Sequence, residues 1–393
     1  MTRSLAILGA TGSIGTQALD VLAAHPGRFE LDALSAATRT DALCALAEQH
    51  HPRRVVVADA EQARGVAERL GRGVEVLVGA SGLDEVASST EVVLNAVVGF
   101  AGVPATLAAL RAGRRLALAN KESLVVAAPL VDAVRTTPGA ELLPVDSEHC
   151  AVHQCLAGLP GPDPVRSVRR LVLTASGGPF RGRRRDELGE VTVDDALAHP
   201  TWQMGARITV DCSTLFNKGL EVLEASALFG IGLDRVDVVV HPQSVVHSMV
   251  ELIDGSTLAQ LSLPDMRLPI AYALGYPERV DDGYGRLDFS APLALTFEPP
   301  DRDAFPCLEL AYEAGRLGGT APVWLNAADE LAVAAFLAGS LSWLGIAEVV
   351  EATLARYDGT PCSDVEALLS ADANARRVAA GIMEDMATLG SRS

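Results

Sequence analysis

Short apolar runs recur along the first third of the chain: Leu5–Leu8, Phe29–Leu34, Val55–Val57, Val74–Val78, Val92–Val98, Leu116–Ala119 and Leu142–Val145. Stretches with helical spacing of apolar positions separate them, among them Thr16–Ala24, Thr40–Glu48 and Val103–Ala112. This alternation predicts a parallel sheet covered on both faces over residues 1–150. Residues 151–275 mix predicted strands (Leu171–Thr174, Ile208–Asp211, Val236–Val240, Thr257–Leu261) with a helix around Ser213–Leu228, and read as a second α/β unit. Residues 276–304 carry Pro277, Gly283, Gly285, Pro292, Pro299 and Pro300 with little periodicity, as a linker does. Residues 305–393 are Ala/Leu/Glu-rich with helical spacing, and predict a helical bundle. The most apolar stretch, Leu331–Val350, is interrupted by Gly339, Ser340, Ser342 and Gly345, so a buried bundle helix is expected rather than a membrane span.

Composition narrows the function classes. Hydrophobic residues make up 49% and charged residues 21% of 393, enough for packed cores. Fifty acidic against 32 basic residues leave a net charge of −18, which argues against nucleic-acid binding through a basic field. The six cysteines (Cys44, Cys150, Cys155, Cys212, Cys307 and Cys362) form no CxxC pair. With no export or membrane signal, a reducing cytoplasm is expected. Only two of the basic residues are lysines, Lys121 and Lys218, and each follows an asparagine. Where arginine has replaced lysine almost everywhere, a surviving lysine points to a place that needs a compact ammonium.

Gly9-Ala-Thr-Gly12-Ser-Ile-Gly15 closes the first strand and opens the first helix. Glycines there let backbone amides approach a pyrophosphate at a helix N-terminus, making the first domain Rossmann-like and nucleotide-binding. The second strand ends in Ser35-Ala36-Ala37-Thr38-Arg39, with a guanidinium where NAD sites carry an acid. Asp32, mid-strand, is expected to be buried against the sheet. Arg39 and Thr38 suit a 2′-phosphate, so NADPH is expected over NADH.

Asp146-Ser147-Glu148-His149 follows the last predicted strand of this domain. In extended backbone i and i+2 side chains point the same way, so Asp146 and Glu148 are expected to share a hard cation, Mg²⁺ or Mn²⁺. Asn217, Lys218 and Glu221 lie on one side of a predicted helix, a set suited to phosphate and metal. Thr174-Ala-Ser176-Gly177-Gly178 offers a hydroxyl and open amides after a strand. His199-Pro-Thr-Trp202-Gln-Met204-Gly205 reads as a flap over a ligand. His241 and His247 fit site lining and a satisfied core equally well.

In this order, the segments GATGSIG, LANKESL, LPVDSEH, TASGGPF, HPTWQMG, NKGLEV, HPQSVVHSMV, PDMRLPI and LNAADELAVAAFLA resemble the 1-deoxy-D-xylulose 5-phosphate reductoisomerase family over nearly the whole chain. The resemblance implies a homodimer with an NADPH domain (1–150), a catalytic and dimerisation domain with a flap (151–275) and a C-terminal helical domain. It implies metal ligation by Asp146, Glu148 and Glu221. Substrate contacts fall to Lys121, Ser147, Glu148 and His199, and the phosphate pocket to Ser176, Cys212, Asn217 and Lys218. NADPH contacts fall to Thr11, Gly12, Ser13, Ile14, Asn120, Glu122 and Gly205, with Ala37, Thr38 and Arg39 at the 2′-phosphate. The implied reaction is a metal-promoted rearrangement of a phosphorylated ketose, then hydride transfer from NADPH, giving 2-C-methyl-D-erythritol 4-phosphate.

The chain departs from the family pattern in four places. Ala37-Thr38-Arg39 replaces Gly-Lys/Arg-Asn, and Asp211-Cys212-Ser213 replaces Asp-Ser-Ala, so a thiol stands in for a phosphate-contacting hydroxyl with Ser213 beside it as a substitute. Ser262 stands where glycine is usual, and Asp329 where asparagine is usual. A specialised paralogue for a related phosphate or phosphonate, or one tolerating inhibitors, stays open. So do a plain NADPH-dependent dehydrogenase, which leaves the carboxylates idle, and a non-catalytic nucleotide sensor.

Overall fold

In the computed structural model, the seven apolar runs of the N-terminal region form seven parallel strands: β1 (Arg3–Leu8), β2 (Phe29–Ser35), β3 (Arg54–Val57), β4 (Glu75–Val78), β5 (Val92–Asn95), β6 (Arg115–Leu118) and β7 (Glu141–Pro144). The structure describes residues 2–161, 163–202, 204–281 and 283–390. The strand order is β4-β3-β2-β1-β5-β6-β7, so the chain reverses direction across the sheet between β1 and β5. The intervening helices are α1 (Ser13–Ala24), α2 (Thr40–His50), α3 (Ala60–Leu70), α4 (Gly79–Ser89), α5 (Val103–Arg111) and α6 (Glu122–Val134). Leu5, Ile7, Leu34, Val55, Val92 and Leu94 are all fully buried, which is why these strands read as unbroken apolar runs.

The described residues fall into two units. The first takes residues 2–123, 129–150 and 265–286; the second takes 124–128, 151–264 and 287–390. Helix α7 (Ser147–Ala157) follows β7, and α8 (Val193–Leu197), α9 (Ala206–Ser213) and α10 (Phe216–Phe229) follow in the second unit. The second sheet has order β11-β10-β8-β9, from β8 (Val168–Ala175), β9 (Val236–Val240), β10 (Val246–Leu252) and β11 (Thr257–Leu261). β8 and β9 are parallel, whereas β10 runs antiparallel to both β8 and β11.

Two local expectations are corrected. Ile208–Asp211 is not a strand but the body of α9, where Thr209, Val210, Asp211 and Ser213 are buried. Burial of this face against neighbouring helices overrides the β-branched preference of Ile208, Thr209 and Val210. Helix α11 (Arg267–Gly275), read from sequence as part of the second unit, packs on α1 and joins the core of the first sheet through Ile270, Ala271, Ala273 and Leu274. Arg115 anchors it, donating to the carbonyls of Leu274 (3.3 Å) and Tyr276 (2.6 Å).

Residues 287–304 contain no helix, but Glu298 pairs with Val240 at the edge of the second sheet. Beyond them lie α12 (Cys307–Leu317), α13 (Ala321–Leu337), α14 (Trp343–Leu354) and α15 (Val365–Gly390). The apolar stretch 331–350 is thus split between α13 and α14. Trp343 packs edge-on against Phe180 and Phe305, and Tyr312 donates to the Val236 carbonyl at 2.7 Å. Among the described residues no helix is long and apolar enough to cross a membrane.

Candidate active site

At the switch point of the first sheet, Gly9, Gly12 and Gly15 shape the turn from β1 into α1. Gly9 has a φ of +82°, and a Cβ there would lie 2.4 Å from the Ala96 carbonyl oxygen. A Cβ on Gly15 would lie 2.5 Å from the Gly9 carbonyl oxygen. Gly12 caps α1, with no side-chain hydrogen bond to the first amides of the helix, from Ser13 and Ile14 onward. Ala37, Thr38 and Arg39 are exposed just past β2. Asp32 is buried as expected, accepting from Thr90 (2.8 Å) and from Arg54.

Asn120 and Glu122 are buried and tie the loops after β5 and β6 together. The Asn120 amide donates to the carbonyls of Val97 (2.7 Å) and Gly99 (2.8 Å), and to Glu122 (3.0 Å). Glu122 in turn accepts from the Gly99 amide at 3.0 Å. Both hold these two loops together through their backbone contacts.

Between them in sequence, Lys121 points its Nζ to Asp146 Oδ2 at 2.8 Å. The picture of Asp146 and Glu148 projecting together from extended backbone is corrected. β7 ends at Pro144 and α7 begins at Ser147, so Glu148 occupies the first helical turn. Asp146 acts as a helix-starting residue: its carboxylate accepts from the Glu148 amide (3.3 Å) and its carbonyl from the Cys150 amide (2.8 Å). Ser147 donates to Glu148, and His149, wholly buried, lies 3.6 Å from Asp146. The turn still gathers two carboxylates, a hydroxyl and an ammonium at the C-terminal end of a strand.

The second unit assembles the other predicted residues. α10 starts after Leu215, whose φ of +61° is unusual for a branched side chain and marks a backbone held by its surroundings. On that helix, the Asn217 amide donates to Glu221 at 2.5 Å, and Lys218 donates to the other Glu221 oxygen. All three side chains are buried. Ser176 Oγ accepts from the Gly178 amide at 3.2 Å and lies 3.0 Å from His199 Nε2. His199 Nδ1 accepts from the amides of Thr201 (3.2 Å) and Trp202 (2.9 Å), so Nε2 carries the proton and donates to Ser176. Burial lowers the His199 pKa, keeping the ring neutral. Residues 199–202 are thereby tied to the loop after β8; Gln203 lies outside the described residues.

Cys212 and Gly178 meet closely, since a Cβ on Gly178 would lie 2.8 Å from the Cys212 carbonyl oxygen. Ser213 is not the substitute hydroxyl that its position suggested. It is fully buried, donates to the Val210 carbonyl (2.7 Å) and accepts from Trp343 Nε1 (2.9 Å). Helical periodicity turns the neighbour of Cys212 into the core.

The two open histidines separate. His241 is a core residue: its ring nitrogens meet the Thr296 carbonyl (2.8 Å) and the Val245 amide (3.2 Å), and it stacks on Phe297. His247 lies against Trp202 of the flap, 6.2 Å between ring centres. Burial, reinforced by the Lys218 charge, pushes its pKa down to about 4. His247 sits on β10, an element the periodicity did not reveal.

Comparison with known proteins places these features in a family. Models of 1-deoxy-D-xylulose 5-phosphate reductoisomerase match residues 5–128, and its C-terminal domain 142–229; a DXP reductoisomerase C-terminal domain model matches 261–378. The 1-deoxy-D-xylulose 5-phosphate reductoisomerase of Xanthomonas axonopodis pv. citri is 52% identical over 381 residues, covering 96% of both chains. That of Ralstonia pickettii is 50% identical, covering 95% of this chain and 96% of its own. A crystal structure of DOX-P reductoisomerase with NADPH, fosmidomycin and magnesium superposes with a TM-score of 0.92 at 42% identity, over 97% of this chain and 98% of that one. The Zymomonas mobilis enzyme with NADPH gives 0.90 at 43% identity, over 98% and 100%. The chain belongs to the 1-deoxy-D-xylulose 5-phosphate reductoisomerase family.

Proposed function

We propose that this chain converts 1-deoxy-D-xylulose 5-phosphate to 2-C-methyl-D-erythritol 4-phosphate with NADPH and Mg²⁺ or Mn²⁺, as a cytoplasmic homodimer that binds no nucleic acid. The observation carrying this reading is that a chain of this family keeps Asp146 and Glu148 beside Lys121 at the end of β7, and a buried Asn217–Lys218–Glu221 set on α10. Asp146, Glu148 and Glu221 are the proposed cation ligands, since three carboxylates are a hard oxygen donor set suited to these ions. The amides opening α1, with Arg39 and Thr38, suit NADPH, while Gly9 and Gly15 let the turn from β1 into α1 pack against the backbone of Ala96 and Ala10.

Held by Asp146, Glu148 and Glu221, the cation would supply Lewis acidity toward the ketose oxygens, and NADPH would supply the hydride for reduction. The chain's own groups do the holding. Lys121 and Ser147 orient the substrate oxygens beside Asp146 and Glu148. Ser176, Asn217 and Lys218 take the phosphate, with the Lys218 ammonium kept out of water where its attraction is least screened. His199, neutral and donating from Nε2, closes the flap over it and excludes water. Cytoplasmic residence is supported by the six cysteines, none of which is in a disulfide. The homodimer rests on the family resemblance.

The test is an assay of the purified protein with substrate, NADPH and either cation, with and without chelator. Metal-dependent NADPH oxidation with a rearranged product is expected. Metal-independent turnover would mean a plain dehydrogenase, and no turnover a nucleotide sensor. The engagement of Ser213 with Trp343 favours a second reading, a paralogue with altered phosphate or phosphonate preference, because the pocket then lacks the hydroxyl at position 212 without replacement.

A further inference from the structure

Helix α9 begins at the end of the flap, after Gly205, and ends with Cys212 and Ser213. Its buried side meets α13 through ionisable groups that the proposed reaction does not use. From α9, Arg207 donates to Glu330 (2.9 Å) and Asn326 (3.2 Å) of α13. Its guanidinium also stands 3.7 Å from Asp211 and 3.8 Å from Asp329. From α15, Arg376 pairs with Glu330 and with Asp372, the latter at 2.7 Å. Four carboxyls therefore face two guanidiniums. Asp211 is 4% and Asp329 0% exposed.

Asp329 is the member that this arrangement does not explain as an anion. Both its carboxyl oxygens are closed off from solvent, and among the described residues no N–H or hydroxyl group donates to either. A buried carboxylate in that position would be strongly disfavoured. A carboxylic acid that gives its O–H to the neighbouring Asp211 carboxylate removes one charge and gives one of the two oxygens a partner, as in other carboxyl pairs that hold one proton between them. Burial first, and the Asp211 carboxylate second, push the Asp329 carboxyl well above the usual carboxylate range, against the pull of Arg207. The other facing groups are accounted for. Despite burial, Arg207 and Arg376 hold Glu330 below the usual range. Burial keeps the Cys307 thiol of α12 protonated and neutral, with Arg185 nearby acting the other way.

We propose that Asp329 and Asp211 share one proton, and that this O–H···O contact fixes α9 against α13 and so positions both the flap root at Gly205 and the pocket segment at Cys212. The positioning half of this proposal rests on the assignment of the substrate phosphate to that pocket; the shared proton does not.

The sign of the pH effect follows from the raised carboxyl. Its contribution to stability is complete below the unfolded-state value of about 3.9 and is lost as pH rises through the folded-state value. Asp329→Asn keeps the shape and an N–H donor but cannot titrate. Between those two limits the unfolding constant of the parent should climb relative to the variant, by up to about tenfold per pH unit. Urea titrations of the full chain at several pH values from about 5 to 8 measure this ratio, and a flat ratio overturns the shared proton. Should Asp329→Asn not fold, the parent alone decides: its infrared spectrum at neutral pH must show the carbonyl stretch of a buried protonated carboxyl, and absence of that band overturns the pair. The positioning role predicts that the parent's KM for 1-deoxy-D-xylulose 5-phosphate rises towards alkaline pH with kcat little changed, while that of Asp329→Asn stays level. Identical KM profiles alongside a diverging stability ratio would overturn the positioning role. A parent protein with no turnover at all would count against the proposed function instead, with the stability and infrared readings still deciding the proton.

Discussion

Lys121 Nζ stands 2.8 Å from Oδ2 of Asp146, and each side chain is only 11% exposed. One of the chain's two lysines thus meets a proposed metal ligand directly, where the ammonium balances a carboxylate. A guanidinium keeps the charge but is wider, planar and fixed in its donor directions. Lys121→Arg should lower kcat/KM at least about tenfold, ~1.4 kcal/mol of transition-state stabilisation, with Tm unchanged. Steady-state kinetics and a thermal melt measure both. Parent-like kinetics would show that the survival of lysine here has no chemical meaning.

Arg39 lies exposed just beyond β2 and caps α2 without a side-chain hydrogen bond, so its guanidinium is not engaged in holding that helix. Arg39→Ala should raise the KM for NADPH about ten- to a hundredfold, the equivalent of ~1.5–3 kcal/mol for a charge-assisted contact, and leave weak NADH use little altered. Equal losses with the two nucleotides would count against a 2′-phosphate contact.

His247 carries a stability prediction with a defined sign. Its pKa falls from 6.5 to about 4 on folding, burial being the main cause. The neutral ring is therefore favoured in the folded state, and the stability it contributes is present above about 6.5 and lost as pH falls towards 4. Across that window the loss amounts to roughly 3 kcal/mol. His247→Gln should flatten the fall in Tm between about pH 6.5 and 4, although His199, shifted the same way, preserves part of the slope. An unchanged slope would mean that His247 is more accessible to protonation than its place beneath Trp202 implies.

Much of this was legible in the chain because the central strands of the first sheet are buried on both faces and so read as apolar runs, while the edge strand β4 is only partly covered. Asp32, Gly9 and Gly15 were legible for a related reason, since each answers to local backbone or sheet geometry. What failed was decided by distant partners. Ile208–Val210 is β-branched yet helical because α9 buries that face, and α11 returns to α1 through apolar residues that would suit either unit. Asp146 and Glu148 do come near one another, but not as expected: the Asp-Ser step starts a helix, and a helical turn, not a pleat, brings the carboxylates together. Ser213 was misread because one step along a helix turns a side chain through about 100°, enough to take it away from Cys212 into the core.

Cys212 and Ser213 lead to opposite expectations, and the pair tests how the pocket is built. Cys212 is partly exposed beside the Gly178 turn, where a thiol donates to phosphate less well than a hydroxyl. Cys212→Ser should lower the KM for 1-deoxy-D-xylulose 5-phosphate, by about tenfold if a full charge-assisted bond is regained, with kcat and Tm nearly unchanged. Phosphonate analogues using the same pocket should bind more tightly as well. Ser213→Ala should do the reverse. It strands the buried Trp343 Nε1–H, which now donates to Ser213 at 2.9 Å, and should cost about 1–3 kcal/mol of stability while leaving KM alone. Denaturant titration and substrate kinetics on both variants separate the two roles. If Ser213→Ala raised KM with stability intact, the hydroxyl would be reaching the phosphate after all. If Cys212→Ser weakened both substrate and phosphonate, the thiol would be fitted to its ligand as it stands, and a native substrate other than 1-deoxy-D-xylulose 5-phosphate would gain ground.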